Sequence, residues 1–178
     1  MPLLAFAEHE YSDVAIGGWL PHVARIQETA RLTANARTLD LAAVGVATMA
    51  RGCGACHAAS GRGPEVAAAI EEPQSQDSTS LAARMGQHMW AAKRLWEGLV
   101  GPSDDAWNAG ASTLARISTD VPTHDPQLSA AFVFALLETQ SLGQSALEAT
   151  SQDDRASVYG VLLAKCAACH SQNVAFDF

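Results

Sequence analysis

The sequence predicts an all-α protein, and three observations favour that fold class. Helix signals recur along the chain, whereas sustained period-two alternation and runs of β-branched residues, which are typical of strands, are nearly absent. Glycine, proline and helix-capping residues divide the chain into segments of helical length. The last hundred residues contain four such segments with short connections, which predicts an up-down-up-down helical bundle.

Two helices are predicted in the N-terminal part of the chain. A glycine pair at 17–18 comes before Pro21, and proline suits the first position of a helix because the N–H that it lacks has no helical partner there. Asp40 is placed to cap a second helix, which ends in RGCGACHAAS, residues 51–60. Residues 60–80 mix Gly, Pro, Ser and Gln, a composition typical of a linker.

Four helices are predicted after this linker. The first begins near Ser80 and stops at the Gly-Pro pair at 101–102. A serine or an aspartate opens each of the other three, namely Ser103, Asp125 and Ser151. Acidic residues in the first turn of the second and fourth helices stabilise them by interacting with the positive end of the helix dipole. These residues are Asp104, Asp105, Asp153 and Asp154. The third helix carries one apolar stripe, formed by Leu128, Phe132, Ala135, Thr139, Leu142 and Ala146.

Composition and charge argue against some classes of partner. Apolar residues make up 48% of the chain and charged residues 17%, which is normal for a protein that buries a core. The formal net charge of −8 argues against nucleic acid and anionic membrane surfaces, because both select for clustered lysine and arginine. No run approaches 18 apolar residues, so no transmembrane helix is expected.

All four cysteines lie in two copies of the motif C-x-x-C-H. On a helix, the spacing i, i+3, i+4 places the three side chains on one face. This motif is the attachment signature of c-type haem. The two thiols add to the haem vinyl groups as thioethers, and the histidine is directed at the iron. The sequence therefore predicts two covalently bound haem c groups, one held by Cys53, Cys56 and His57 and the other by Cys166, Cys169 and His170.

Three other uses of these cysteines explain the sequence less well. A thioredoxin-like pair opens a helix after a strand, whereas each pair here is predicted to close a helix. The two pairs are too far apart in sequence for the usual four-cysteine zinc ribbon. A structural disulfide leaves both histidines without a role.

Covalent haem predicts an extracytoplasmic location. Such motifs receive haem on the outer side of a bacterial membrane, so a periplasmic protein is expected. MPLLAFAEHE contains an Ala-Phe-Ala triplet at 5–7 that resembles a cleavage site, but it lacks the basic and apolar regions of a signal peptide. We therefore expect either that a leader has been removed or replaced, or that this is the mature chain behind a start methionine.

A weak internal repeat suggests two related halves. ETARL at 28–32 precedes the first motif, and ETQSL at 138–142 precedes the second by a similar distance. The expected division is an N-terminal helical haem-binding unit with its linker over 1–75 and a four-helix-bundle haem domain over 76–178.

From about Ser80 onwards the chain resembles the cytochrome c-prime family, including its low-spin relatives. The resemblance rests on four short-looped helices with C-x-x-C-H near the end of the fourth, here KCAACH ending at His170. It implies a haem inside one end of the bundle, with the first helix over its distal face. Family members carry one haem, so the first motif departs from the pattern, and the short N-terminal half lacks a helix to cover its haem.

The first helix of this bundle offers distal ligands for the second haem. Because the first and fourth helices run antiparallel, His88, two turns into its helix, is expected level with the haem. His88 is the leading candidate, and Met85 and Met89 compete with it. Arg84 is either a partner for a haem propionate or a solvated arginine. The predicted inward stripe is Leu81, Met85, His88, Ala92, Leu95 and Leu99.

The distal ligand of the first haem stays open between His22, His9, His124 and none. His22 leads, because a turn near Thr38 would bring it level with His57, although it is equally well explained as a surface histidine beside Pro21. A second copy of the chain would cover an exposed haem face, which makes a homodimer plausible. Core or haem-packing positions are expected for three tryptophans, Trp90, Trp96 and Trp107.

Three functions compete. An electron carrier with two six-coordinate haems is preferred, since two haems in a small chain suit electron relay. Its redox partners are expected to be proteins with basic surfaces, because the chain is acidic. The alternatives are binding or sensing of NO or CO at a five-coordinate haem and, last, a small haem peroxidase, for which no acid–base group is evident beside either motif.

Overall fold

A computed structural model describes residues 13–66, 71–72, 80–118 and 130–172. These residues form six α-helices and no strand, so the all-α prediction is confirmed for the described part of the chain. The helices are α1 (Asp13–Ala34), α2 (Leu39–Ser60), α3 (Leu81–Val100), α4 (Asp104–Arg116), α5 (Ala130–Glu148) and α6 (Gln152–Gln172).

Serine hydroxyls cap two helices as predicted. Ser103 accepts a hydrogen bond from the Ala106 N–H at the start of α4 (3.2 Å). At the start of α6, Ser151 Oγ accepts from the Asp154 N–H (3.1 Å) and donates to its carboxylate (2.6 Å). The prediction for α2 was wrong by two residues: Thr38 is the N-cap, and Asp40 lies in the first turn. Asp125, the predicted start of α5, lies outside the described residues.

The predicted start of α1 at Pro21 was also wrong. The helix begins at Asp13 and continues through the glycine pair and Pro21. A proline at 21 removes the helical bond to the Gly17 carbonyl and crowds that carbonyl, but both effects are local to one turn. Packing against α2 supports the helix, because Gly45 lies so close to Thr33 that a Cβ added there would stand 2.1 Å from its hydroxyl.

Helices α3 to α6 pack each on the next, and α6 also contacts α3. Helix α2 packs against both α3 and α6, and α1 packs against α2. The buried face of α2 consists of small residues that permit close approach, namely Ala43, Ala47, Ala50 and Gly54. The helical bundle is therefore confirmed. One hydrophobic core contains residues of α2 and residues of α3 to α6, so it includes residues from both sides of the predicted boundary at 75. The division into two units and the cytochrome c-prime arrangement remain predictions.

The core contains most of the predicted positions and two arginines that were not expected there. Leu95 and Leu99 of α3 are buried, as are Phe132, Thr139 and Ala146 of α5. Met85, His88 and Ala92 are half-buried, and the Leu81 side chain and Leu128 lie outside the description. Arg84 is 2% exposed and Arg94 1%, so the solvated alternative for Arg84 was wrong. Buried guanidinium groups need partners, and Glu97 accepts from Arg94 at 2.8 Å.

The tryptophans occupy core positions as predicted. Trp107 is completely buried, and its indole N–H donates to the Ala146 carbonyl at 2.8 Å. The Arg155 guanidinium lies 5.3 Å from the Trp107 ring centroid, within the range of a cation–π interaction. Trp90 and Trp96 pack half-buried against the same core.

One described helix, α2, is long and apolar enough by length and composition to cross a membrane, with a mean hydropathy of 1.2 in its most apolar window. No such helix was expected from the sequence. A core helix of a soluble protein meets the same criterion, and α2 packs against three other helices of the bundle.

Candidate haem sites

Both C-x-x-C-H motifs lie in the last turns of their helices, as the sequence predicted. Helix α2 continues three residues past His57 and ends at Gly61, whose φ of 62° is left-handed. Helix α6 continues two residues past His170. A helix C-terminus does not lower a thiol pKa, since its dipole opposes negative charge.

Electrostatics at the motifs also disfavours a dithiol redox pair. Burial, with the neighbouring motif thiol as a smaller cause, raises the pKa of Cys53 and of Cys166. Burial alone raises the pKa of Cys56. A nucleophilic thiolate requires the opposite shift. Covalent attachment of haem, by contrast, turns each thiol into a neutral thioether that suits a buried site.

The two motifs lie at opposite ends of the antiparallel pair formed by α2 and α6. Arg51 bonds to Asp153, and Gly160 lies against Val44, so the residue numbers of facing positions sum to about 204. Cys53 is thus level with residue 151, and Cys166 lies about 22 Å further along α6 at 1.5 Å per residue. Four thiolates this far apart cannot share a zinc ion or form a disulfide between the pairs.

The second motif lines a cavity between α3, α5 and α6. Cys166, Cys169 and His170 contribute from α6, and Met85 and His88 contribute from α3. Helix α5 adds an apolar wall that includes Phe132, Phe134 and Leu136. The structure therefore brings together the motif and two of its three predicted distal ligands. The third, Met89, is 75% exposed and is not among the lining residues.

His88 presents a buried ring nitrogen to this cavity. Its Nε2 is buried and has no hydrogen-bond partner among the described residues. Burial, helped by the nearby His170 and Arg84, lowers the pKa of His88 to about 4, so the imidazole is neutral and its nitrogen lone pair is free. A buried polar atom without a partner is costly, and an iron atom in this cavity would satisfy it. The residues present fit a haem c: Cys166, Cys169 and His170 would hold it, and His88 would offer a further nitrogen ligand.

Acid is expected to destabilise the haem-free chain through this histidine. Between the folded pKa of about 4 and the ordinary value of 6.5, the unfolded chain binds a proton that the folded chain excludes. The free energy of unfolding should therefore fall by roughly 3 kcal/mol as the pH drops from 6.5 through 4. Denaturant titrations of chain expressed without haem attachment measure this slope. The slope should flatten in His88→Leu, and an unchanged slope would refute the assignment.

Arg84 does not line this cavity. Its guanidinium Nη1 donates to the Ser118 carbonyl at 2.8 Å, at the end of α4. The predicted propionate contact stays a prediction. The charge of Arg84 is a smaller cause, after burial and His170, of the lowered pKa of His88.

At the first motif, a hydrogen bond orients the histidine. His57 Nδ1 lies 2.7 Å from the Val100 carbonyl oxygen at the end of α3. A carbonyl only accepts, so Nδ1 carries the proton and Nε2 is left free to bind iron. The adjoining cavity is lined by Trp19 of α1, by Cys56, His57 and Ser60 of α2, and by the loop residues Arg62, Gly63 and Pro64. The cavity thus contains one thiol and the histidine of the motif, and the other thiol, that of Cys53, is not among the lining residues.

His22 lies at the expected level along α2 but outside the cavity of the first motif. Ile26 lies against Gly52, and Thr33 against Gly45, which places His22 level with Cys56. His22 nevertheless shares its helix face with Arg25, Ile26 and Thr29, which line another cavity together with Gly54 of α2. It is not among the residues lining the first-motif cavity. His9 and His124 lie outside the described residues.

Trp19 is the residue at this site that the sequence did not reveal. It precedes His22 by one helical turn, and only the register between α1 and α2 distinguishes the two.

No family model, curated protein or solved structure matches the chain.

Proposed function

We propose that this protein is a dihaem c-type cytochrome that carries electrons between periplasmic redox partners. The observation that carries the proposal is the second cavity, which is lined by a C-x-x-C-H motif and by His88, whose buried Nε2 has no hydrogen-bond partner in the described part of the chain. Cys53, Cys56 and His57 would hold one haem, and Cys166, Cys169, His170 and His88 the other. Each haem would supply reversible one-electron exchange at iron.

The surroundings of His88 and of His57 support electron transfer. Two protein ligands to one iron leave no position for an exogenous molecule, which suits a carrier and opposes ligand chemistry. At the first motif, the Val100 carbonyl fixes the imidazole and increases its basicity as a ligand. The formal charge of −8 favours basic partners and an association rate that falls with ionic strength.

Gas binding at the first haem is the second candidate. Among the described residues lining that cavity, His57 is the only histidine and there is no methionine. An iron with one protein ligand would accept NO or CO on its other face. A second copy of the chain would supply cover for that face, in line with the predicted homodimer.

The first test is haem content and CO binding of the protein made with its attachment machinery. Two covalent haems per chain are expected, and one in each of the double variants Cys53→Ser/Cys56→Ser and Cys166→Ser/Cys169→Ser. Sharp low-spin bands unaffected by CO would support a carrier with both irons fully ligated. A CO shift that is seen in the wild type and is lost in Cys53→Ser/Cys56→Ser would come from the first haem and would instead favour gas binding. Absence of covalent haem would refute both.

A further inference from the structure

The two motifs are separated along the bundle, and an aromatic pair lies between them. Tyr159 of α6 is two helical turns before Cys166 and is 5% exposed. The Trp96 ring of α3 lies 6.1 Å from the Tyr159 ring, centroid to centroid, with the planes tilted by 42°. This is the usual geometry of an interacting aromatic pair. One turn beyond Trp96, Val100 accepts the hydrogen bond of His57.

Each segment of this path is a direct contact or a short stretch of helix. Tyr159 is near enough to Cys166 for that thiol to help burial raise the pKa of the phenol to about 12. From Tyr159 the path crosses to Trp96 through the buried core, continues to Val100 and ends at the His57 imidazole. Apart from its aromatic residues, the buried core consists mainly of alanine and leucine.

We propose that Trp96 and Tyr159 form the bridge through which electrons pass between the two haem sites. The inference rests on the proposed function. One electron leaves the ferrous iron at one site, which becomes ferric, and reduces the ferric iron at the other. Neither ring is oxidised and no proton moves. The rings act because tunnelling weakens exponentially with distance and weakens faster across gaps than through extended π orbitals.

Because the two sites lie at opposite ends of the bundle, the protein also has two separate places where redox partners can dock. An electron delivered at the α6 end leaves at the α2 end, or the reverse, so the donor and the acceptor can dock at the same time. The aromatic bridge then sets the rate of passage through the molecule.

The test is the rate at which an electron equilibrates between the haems after flash photoreduction of the oxidised holoprotein. Rapid-freeze electron paramagnetic resonance separates the two irons where their optical bands overlap. Trp96→Leu and Tyr159→Leu should each slow equilibration severalfold with unchanged midpoint potentials. Trp96→Phe and Tyr159→Phe keep a ring and should retain most of the rate. The packing control is Trp90→Leu, which removes another half-buried tryptophan of α3 that packs against the same core.

Several results would overturn the proposal. Unchanged rates in both leucine variants would exclude the bridge, and an equal slowing in Trp90→Leu would show a general packing effect. A rate lost in Tyr159→Phe would implicate the hydroxyl rather than the ring. Haem content, spectra and potentials are measured on every variant, so failure of the proposed function, seen as missing haem, is distinguishable from failure of the bridge.

Discussion

Replacing His88 with alanine is expected to open the second haem to CO. The His88 nitrogen lines the cavity of the second motif and has no partner among the described residues, so in the proposed site its removal would leave the iron with one protein ligand. The reduced spectrum should change from low-spin to high-spin for one haem of the two. Addition of CO should then shift that half of the absorbance, and the midpoint potential of that haem should change with its ligand.

Two methionine variants make this prediction specific. Met89→Leu is the control, because Met89 is 75% exposed and its loss should leave the spectrum unchanged. Met85 lines the same cavity as His88. If Met85→Leu opened the haem to CO and His88→Ala did not, the methionine would be the ligand and the assignment of His88 would be wrong.

Replacing Gly54 with alanine is expected to disturb the first haem site and the stability of the bundle. A Cβ at Gly54 would stand 2.1 Å from the Leu99 carbonyl oxygen, so α2 would have to move away from the end of α3. That movement would break the contact between His57 and the neighbouring Val100 carbonyl. Forced overpacking of this kind typically costs about 1–3 kcal/mol. Thermal unfolding and haem content measure both effects.

The chain provides two comparisons for Gly54→Ala. The second motif has Ala167 at the equivalent position, so alanine between the two cysteines does not by itself prevent attachment in the proposed site. Gly86 is a helical glycine with open space where a Cβ would be, and Gly86→Ala should be neutral or stabilising. A Gly54→Ala protein with wild-type stability and full haem content would show that α2 and α3 do not approach this closely.

Sequence reasoning predicted the features that depend on local spacing. The helical class, the serine caps of α4 and α6, and the position of both motifs at helix ends follow from residues a few positions apart, because capping bonds and helix faces are set within one or two turns. The same reasoning placed α1 too late, since packing against α2 outweighed the local cost of Pro21.

What the sequence left undetermined is which helices become neighbours. Helix α2 buries alanines and a glycine, which have little apolar area to indicate a partner, and only the folded bundle shows that these small residues allow contact with both α3 and α6. That packing separates the two motifs, turns His57 towards Val100 and puts Trp19 rather than His22 beside the first motif. The sequence by itself determined the two C-x-x-C-H groups and the helices that hold them. The tertiary structure decided that one motif faces His88 and that an aromatic pair lies between the two, because such contacts join residues far apart in the chain.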